Sequence, residues 1–431
     1  MEEEGFTGFD EFAMEMEDFE YTQVKKFDRP FNVTPGGSIF QKPLIHEGVV
    51  YFGSRDHNVY AVGALDGRLL WKFKANDGFI ISSPCISGGL LYIGSYDQNV
   101  YALEASTGRL AWKFMTMDKI VAFPVVHQGR LYIGSNDFNV YCIDAVTGRL
   151  VWKFATQGEI MSTPVFHEGR VFFGSHDNNF YCVDELSGTL VWKIETQGHV
   201  IANNVLIHEG RIYFPSFDNY LRAADVKTGK VLWKFLTGKY GMVCGPCLEG
   251  GRLFQTCQEG VVHSLTLDGK ALWSFRLNHS IATPIIHRGR LYFGAEDNNL
   301  YCLSLDGKKL WTFEARDLLR WCPSAWEDYV YFTSMDCFIY CVNVNTHSLV
   351  WKFRAEGEPS YIPPPFASFE LAVKKRTEDS GLEERGTRKK YDFNTSEAED
   401  GGRFYKSRIT YGGDSKYREK GKYQTDSDED F

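Results

Sequence analysis

Eight tryptophans fall at an almost fixed interval along this chain: Trp71, Trp112, Trp152, Trp192, Trp233, Trp273, Trp311 and Trp351, with gaps of 41, 40, 40, 41, 40, 38 and 40 residues. A period near 40 demands one structural unit repeated eight times, and it excludes a single irregular domain. Three further columns keep step with the first. A glycine stands four residues before seven of the tryptophans (Gly67, Gly108, Gly148, Gly188, Gly229, Gly269 and Gly307), and His347 takes that place in the eighth unit. Proline opens every unit (Pro43, Pro84, Pro124, Pro164, Pro246, Pro284, Pro323) except the fifth, which has Val205. Asp-x-Asn marks five units, at Asp56, Asp97, Asp137, Asp177 and Asp297.

Each unit divides into four short strands. In the third they are read at 120–126, 131–135, 140–144 and 150–154, rich in Tyr, Val, Ile, Phe and Trp and separated by His-Gln-Gly-Arg, Asp-Phe-Asn and Thr-Gly turns. Turn residues at fixed offsets between such runs predict a four-stranded antiparallel meander. Proline in the first strand suits a position with no ladder partner, at an edge or near an axis. A sheet of about 40 residues cannot cover its own two faces, but sheets set radially cover one another. No unit carries a 3.6-residue apolar period, so helical repeats are excluded. The expectation is an all-β, eight-bladed β-propeller over residues 38–355.

The segment Asp144-Ala-Val-Thr-Gly-Arg-Leu-Val-Trp152 and its counterparts Glu104–Trp112, Asp184–Trp192 and Asp225–Trp233 resemble the tryptophan-docking motif of propellers in the pyrroloquinoline quinone (PQQ) family. Gly134-Ser135-x-Asp137-x-x-Val140-Tyr141 is similar to the second half of that repeat. The resemblance implies that all eight column tryptophans (Trp71 through Trp351) are blade-docking residues packed between neighbouring blades. Quinoprotein dehydrogenases of that family carry long insertions, a calcium site and a disulfide between adjacent cysteines. This chain has no adjacent cysteine pair, and its repeat length varies by only three residues. The resemblance therefore points to the non-catalytic members, with no cofactor and no metal expected.

Fold alone does not assign function, so each cluster of reactive residue types is weighed by itself. Cys244-Gly-Pro-Cys247 copies a thioredoxin-type redox motif, but Pro246 belongs to the proline column and the motif falls on a strand, without the helix N-terminus that activates a thiol. Cys142, Cys182, Cys302 and Cys341 share a column with Ala61 and Ala102, which fits a small buried residue. His46, His127, His167, His208 and His287 mark first hairpins on one face of the ring, too far apart to ligate one metal ion. The Asp-x-Asn column fits carboxylate-to-backbone turns better than calcium sites. No phosphate loop, nucleophile elbow or zinc-spaced His/Glu pair occurs, so no catalytic residue is assigned. The residues before the prolines face the axis and vary: Lys42, Ser83, Phe123, Thr163, Asn204, Gly245, Thr283 and Cys322. With Arg320 and Trp321, which break the repeat pattern, Lys42 is the candidate for ligand binding in an axial funnel.

The ends differ from the body. Residues 1–37 carry a charge of −7, residues 356–431 carry −3, and the ring between them is near neutral. Residues 1–20 hold nine acidic and no basic residues, interleaved with Phe9, Phe12, Met16 and Phe19, which predicts an acidic, largely disordered segment that binds a basic, grooved partner. The C-terminal segment is also read as disordered; its basic stretch 403–423, with Tyr405, Tyr411, Tyr417 and Tyr423 every six residues, suits either protein docking or single-stranded nucleic acid. No run of 18 apolar residues is present, and Met1-Glu2-Glu3-Glu4 lacks the pattern of a secretory signal. A cytoplasmic protein with reduced thiols, not attached to a membrane, is expected. The functional expectation is a non-catalytic interaction scaffold; the alternatives are a small-molecule or quinoprotein-like enzyme using the funnel, and a nucleic-acid-associated factor.

Overall fold

The computed structural model describes residues 37–76, 78, 80–200, 205–239 and 245–356. The first sheet is a meander of β1 (Leu44–His46), β2 (Val49–Gly53), β3 (Asn58–Gly63) and β4 (Leu69–Lys74), each strand pairing antiparallel with the next. The same order recurs over 85–115, 125–155, 165–195, 206–236, 247–276, 285–314 and 324–354. These are the eight blades of an all-β propeller. Every blade is made of four consecutive strands, so among the described residues no end segment lends a strand to close the circle.

The first strand of each blade is shorter than its sequence pattern suggests. In blade 3 it covers only Val125–His127, because Pro124 donates no N–H and residues 120–123 belong to the connector from blade 2. First strands of neighbouring blades lie against one another at the axis, whereas the fourth strand is the outer edge. A register shift opposite Cys142 and Ile143, repeated in every blade, places a bulge beside the tryptophan.

The core is a set of seams. One apolar cluster joins Tyr132, Val140 and Cys142 of blade 3 to Val171, Phe173 and Tyr181 of blade 4; another joins Tyr331, Ile339 and Cys341 of blade 8 to Val50, Phe52 and Tyr60 of blade 1. Each fully buried aromatic there adds about 1.5–3 kcal/mol of transfer free energy.

The tryptophan column is the lock on these seams. Trp152 Nε1 donates to Glu185 O of blade 4 over 3.1 Å, and five other column tryptophans make the equivalent bond, from Trp71 to Ala105 O at 2.9 Å through to Trp351 with Ala64 O at 2.8 Å. Gly188 of blade 4 lies flat on the Trp152 ring: a Cβ there would come within 2.6 Å of it, and φ is +69°. Trp112 meets Gly148 in the same way, and Trp351 meets Gly67. The glycine of one unit thus serves the tryptophan of the unit before it, which is why the two columns keep step.

This geometry corrects one expectation. His347 replaces the turn glycine of unit eight, so the sequence suggests a weak closure between blades 8 and 1. In fact His347 stacks on Trp311 of blade 7, ring centroids 4.8 Å apart, and the irregular seam is 7/8. The closing seam is regular: Tyr331 and Trp351 both donate to Ala64 O, Ser324 Oγ donates to Pro43 O at 2.6 Å, and Gly67 covers the Trp351 ring.

Trp152→Ala should cost about 3–5 kcal/mol in urea unfolding, as expected for a large aromatic removed from a packed site. Gly188→Ala, with a clash and a left-handed backbone, should cost about 2–4 kcal/mol. His347→Gly should stay within about 1 kcal/mol, since lost stacking and relieved backbone strain nearly cancel. A large loss for His347→Gly, matching that of Gly188→Ala, would refute the assignment of seams.

Candidate functional site

The repeated polar residues build the connector face, the side of the ring that carries the blade-to-blade connectors and the turns between second and third strands. Asp137 Oδ1 accepts the Asn139 N–H at 3.0 Å, while Oδ2 accepts the Tyr141 hydroxyl at 2.6 Å and the Met117 N–H of the incoming connector at 2.8 Å. Asp177 repeats the pattern with Asn179, Tyr181 and Gln157. In blade 5 an arginine replaces the tyrosine, and Asp218 is held by both terminal nitrogens of Arg222. The carboxylates are therefore taken up by turns and connectors, as a carboxylate-to-backbone reading of Asp-x-Asn requires. Among the described residues no three His, Cys, Asp or Glu side chains converge as a metal site.

The opposite face carries the histidines. They end the first strands and point to separate partners: His127 stacks on Phe166 at 4.9 Å, and His287 Nε2 meets Glu327 O at 2.7 Å. Beside them is an arginine column that the sequence reading passed over. Arg130, Arg170 and Arg211 each reach a turn carbonyl of the next blade, at Glu185, Lys227 and Leu267, and Arg252 reaches the Asp306 carboxylate. The signal was present in the recurring Gly-Arg that opens second strands.

Along the axis, a cavity of about 490 Å³ is lined by Lys42, Cys247, Thr283, His287 and Ser324 together with Pro43, Pro246 and Pro284. A second, also about 490 Å³, is lined by His127, Thr163 and Phe166 with Pro164, Val205 and Pro246. Of the three axial candidates, Lys42 lines the first of these cavities. Trp321, in the connector before blade 8, meets Phe123 from the connector before blade 3, centroids 6.4 Å apart; blades 3 and 8 are not neighbours, so this contact crosses the axis, and the Trp321 Nε1 is buried without a partner. Arg320 Nε sits 2.9 Å from Glu296 Oε1 in a half-buried ion pair on the connector face. Phe9, Phe12, Met16, Phe19, Asn204, Cys244 and the 403–423 stretch lie outside the described residues.

The thiols are poised against reactivity. Burial pushes Cys142 and Cys302 up to about 11 and Cys182 and Cys341 up to about 12; Cys247 is raised by burial and then by Cys322. A redox-active Cys247 needs the opposite shift.

A second polar grouping escaped the sequence reading. The residue preceding each repeat aspartate varies, and in blades 1 to 5 it is Arg55, Tyr96, Asn136, His176 and Phe217. These sit beside the connectors. Lys119 lies 5.6 Å over the Tyr96 ring, Glu159 Oε2 is 3.5 Å from His176 Nδ1, and His176 stacks on His199 at 4.9 Å. Burial, and then repulsion from His199, pulls His176 down to about 4 despite the neighbouring carboxylate. His176 is therefore neutral at pH 7.

A depressed histidine contributes stability that is fully present above its unfolded value near 6.5 and lost as pH falls toward about 4. Between pH 7 and pH 5 the chain should lose about 2 kcal/mol through His176 alone. In His176→Asn that increment should vanish, measured as urea stability at the two pH values. An unchanged increment would mean that His176 titrates normally.

A family model described as "Beta-alanine-activating enzyme, beta-propeller" matches residues 89–317, just over half of the chain, and one described as "Outer membrane protein assembly factor BamB" matches residues 22–119. No curated protein matches. Among solved structures, the computationally designed Ika8 protein aligns with a TM-score of 0.65 at 15% identity, covering 72% of this chain and 96% of that one. BamB from Moraxella catarrhalis aligns with a TM-score of 0.62 at 17% identity, covering 70% of this chain and 97% of that one. At such identities the structural likeness speaks to fold alone. Together with the eight-bladed ring, the family match shows that the chain belongs to the PQQ-like β-propellers, in the family described as the β-propeller of the beta-alanine-activating enzyme.

Proposed function

We propose that this protein is a non-catalytic, cytoplasmic scaffold that binds protein partners. The observation that carries the reading is the outer strand. The bulge beside each tryptophan turns two successive aliphatic residues outward: Leu150 and Val151 are 47% and 44% exposed, and Leu190 with Val191, Val231 with Leu232 and Leu349 with Val350 are exposed likewise. Each outer strand also presents one unpaired side of its backbone. An open edge with aliphatic side chains suits addition of a partner strand, the backbone giving affinity and the side chains selectivity. Lys113, Lys153 and Lys193 on the same strands keep these edges from pairing with one another. The solved neighbour BamB is named for an assembly factor, which is in line with a binding role. The acidic segment with Phe9, Phe12, Met16 and Phe19 adds a recruiting element for a basic partner, its aromatic anchors carrying most of the affinity.

One observation favours a second reading. The axial cavity beside Lys42 has room for a small anionic ligand, and the matching family is named for an enzyme. A quinone absorbance in the purified protein, or melting that depends on calcium, would favour it over the scaffold. Nucleic-acid binding through 403–423 rests on composition alone.

In pull-downs with the full chain, Phe9→Ala combined with Phe12→Ala should lose the principal partner without altering the melting of the ring. Val151→Lys combined with Val191→Lys should lose partners held at the blade edges. If both variants retain every partner, the scaffold reading is wrong.

A further inference from the structure

In a ring of near-identical units, the places where one unit departs from the others mark selection for something other than the ring. The sharpest departure on the connector face lies where blade 2 leads into blade 3. Met115 and Met117 are 66% and 80% exposed, and Phe138 is 45% exposed. The equivalent positions hold Ala155, Gln157 and Asn178 around the next unit and Glu195, Gln197 and Asn219 around the one after. Met117 and Phe138 are neighbours by construction: the Met117 N–H is bonded to Asp137, the residue preceding Phe138. Met115 shares with Lys113 the side of the outer strand opposite Trp112 and Phe114, which meet blade 3, so the exposed apolar side chains stand on both sides of the strand end. Methionine with an exposed phenylalanine makes an adaptable apolar contact surface.

The surrounding charge favours an acidic occupant. Lys113 and Lys153 flank the patch on exposed outer strands, with no ion pair among the described residues. Lys119 adds a third cation, held over Tyr96. Of the nearby acids, Asp118 is turned back onto the Lys119 N–H at 2.7 Å, Asp137 is occupied by its turn, and Glu159 faces His176.

We propose that this patch docks the chain's own acidic segment, residues 1–20, with its phenylalanines on Met115, Met117 and Phe138 and its carboxylates toward Lys113 and Lys153. The described chain begins on the same face: Gly37 O accepts a bond from Ser54 Oγ, and Ser38 O accepts the Arg55 N–H. Residues 21–36 span at most roughly 50–58 Å, and sheets pack about 10 Å apart, so the two seams from blade 1 to blade 3 are within reach. Tethering keeps the segment at high effective concentration over the patch. A partner that recruits residues 1–20 must then displace the ring from them. Only that last consequence rests on the scaffold reading; the docking itself does not.

The test borrows each replacement from another blade, so that the ring's packing is preserved: Met115→Ala, Met117→Gln and Phe138→Asn in the full chain. Chymotrypsin cleavage after Phe9, Phe12 and Phe19 is followed by mass spectrometry at low protein concentration, with no partner present. Cleavage should be at least tenfold slower in the parent than in the triple variant, and the protection should fade as salt rises. Equal rates overturn the proposal. Protection that grows with protein concentration also overturns it, placing the segment of a second copy on the patch. If the triple variant melts early, Met117→Gln alone repeats the comparison, and equal rates there are decisive against docking.

Discussion

The ring depends on one contact made between units. A tryptophan lays its indole on the glycine of the next blade and sends its N–H to a carbonyl of the same turn. Both halves of that contact are geometrically demanding: the glycine must have φ near +70°, and it must have no side chain, since a Cβ would enter the indole ring. An indole carries its largest apolar area and a single donor, so one residue can fill the seam and satisfy a turn carbonyl together. Each blade gives a tryptophan forward and, except for blade 8 with its His347, a glycine backward, so every unit is tied to both neighbours. The repeat thus becomes cooperative as a whole.

The aspartate network extends the same logic to the polar groups. Asp137 binds its own turn, its own tyrosine and the preceding connector, so a half-buried carboxylate is stabilised by donors that also fix the path between blades. For Asp177, burial alone raises the pKa, yet hydrogen bonds from Tyr181, Gln157 and Asn179 leave it below the usual carboxylate value. These groups have the residue types of a catalytic site and the partners of a scaffold. Sequence columns of Asp, Tyr and Asn are therefore poor evidence for chemistry when they recur once per blade.

Most of the fold was legible because repetition amplifies weak signals. A single Gly-x-x-x-Trp means little, whereas seven in register with a proline column leave one architecture. What stayed hidden is what one unit does for another. His347 looked like a fault in the last blade, and only the seam geometry shows that it stands against Trp311 rather than at the closure. Arg320 and Trp321 stood out as deviations, but a linear pattern does not name their partners: one pairs with Glu296 of blade 7, and the other meets Phe123 across the axis. Proline and the connector shortened the first strands because a run of apolar residues does not show where pairing stops. The arginine clamps were visible as letters but lacked a meaning until the next blade's turn stood in front of them.

Repetition also sets the terms on which function is read. Where all blades agree, selection for the ring explains the residue, so the agreeing positions are silent about binding. Information about partners is confined to positions that vary while the backbone beneath them does not. By that criterion the axial prolines are silent, being part of the repeat, and the axis speaks through Lys42 in the cavity that it lines and through the Phe123–Trp321 contact. The connector face is more informative. It holds the run from Arg55 to Phe217, in which each blade offers a different side chain on the same turn, and the exposed methionines with Phe138 between blades 2 and 3. A rigid frame that fixes eight equivalent turns, each free to carry its own residue, is suited to recognising an extended chain.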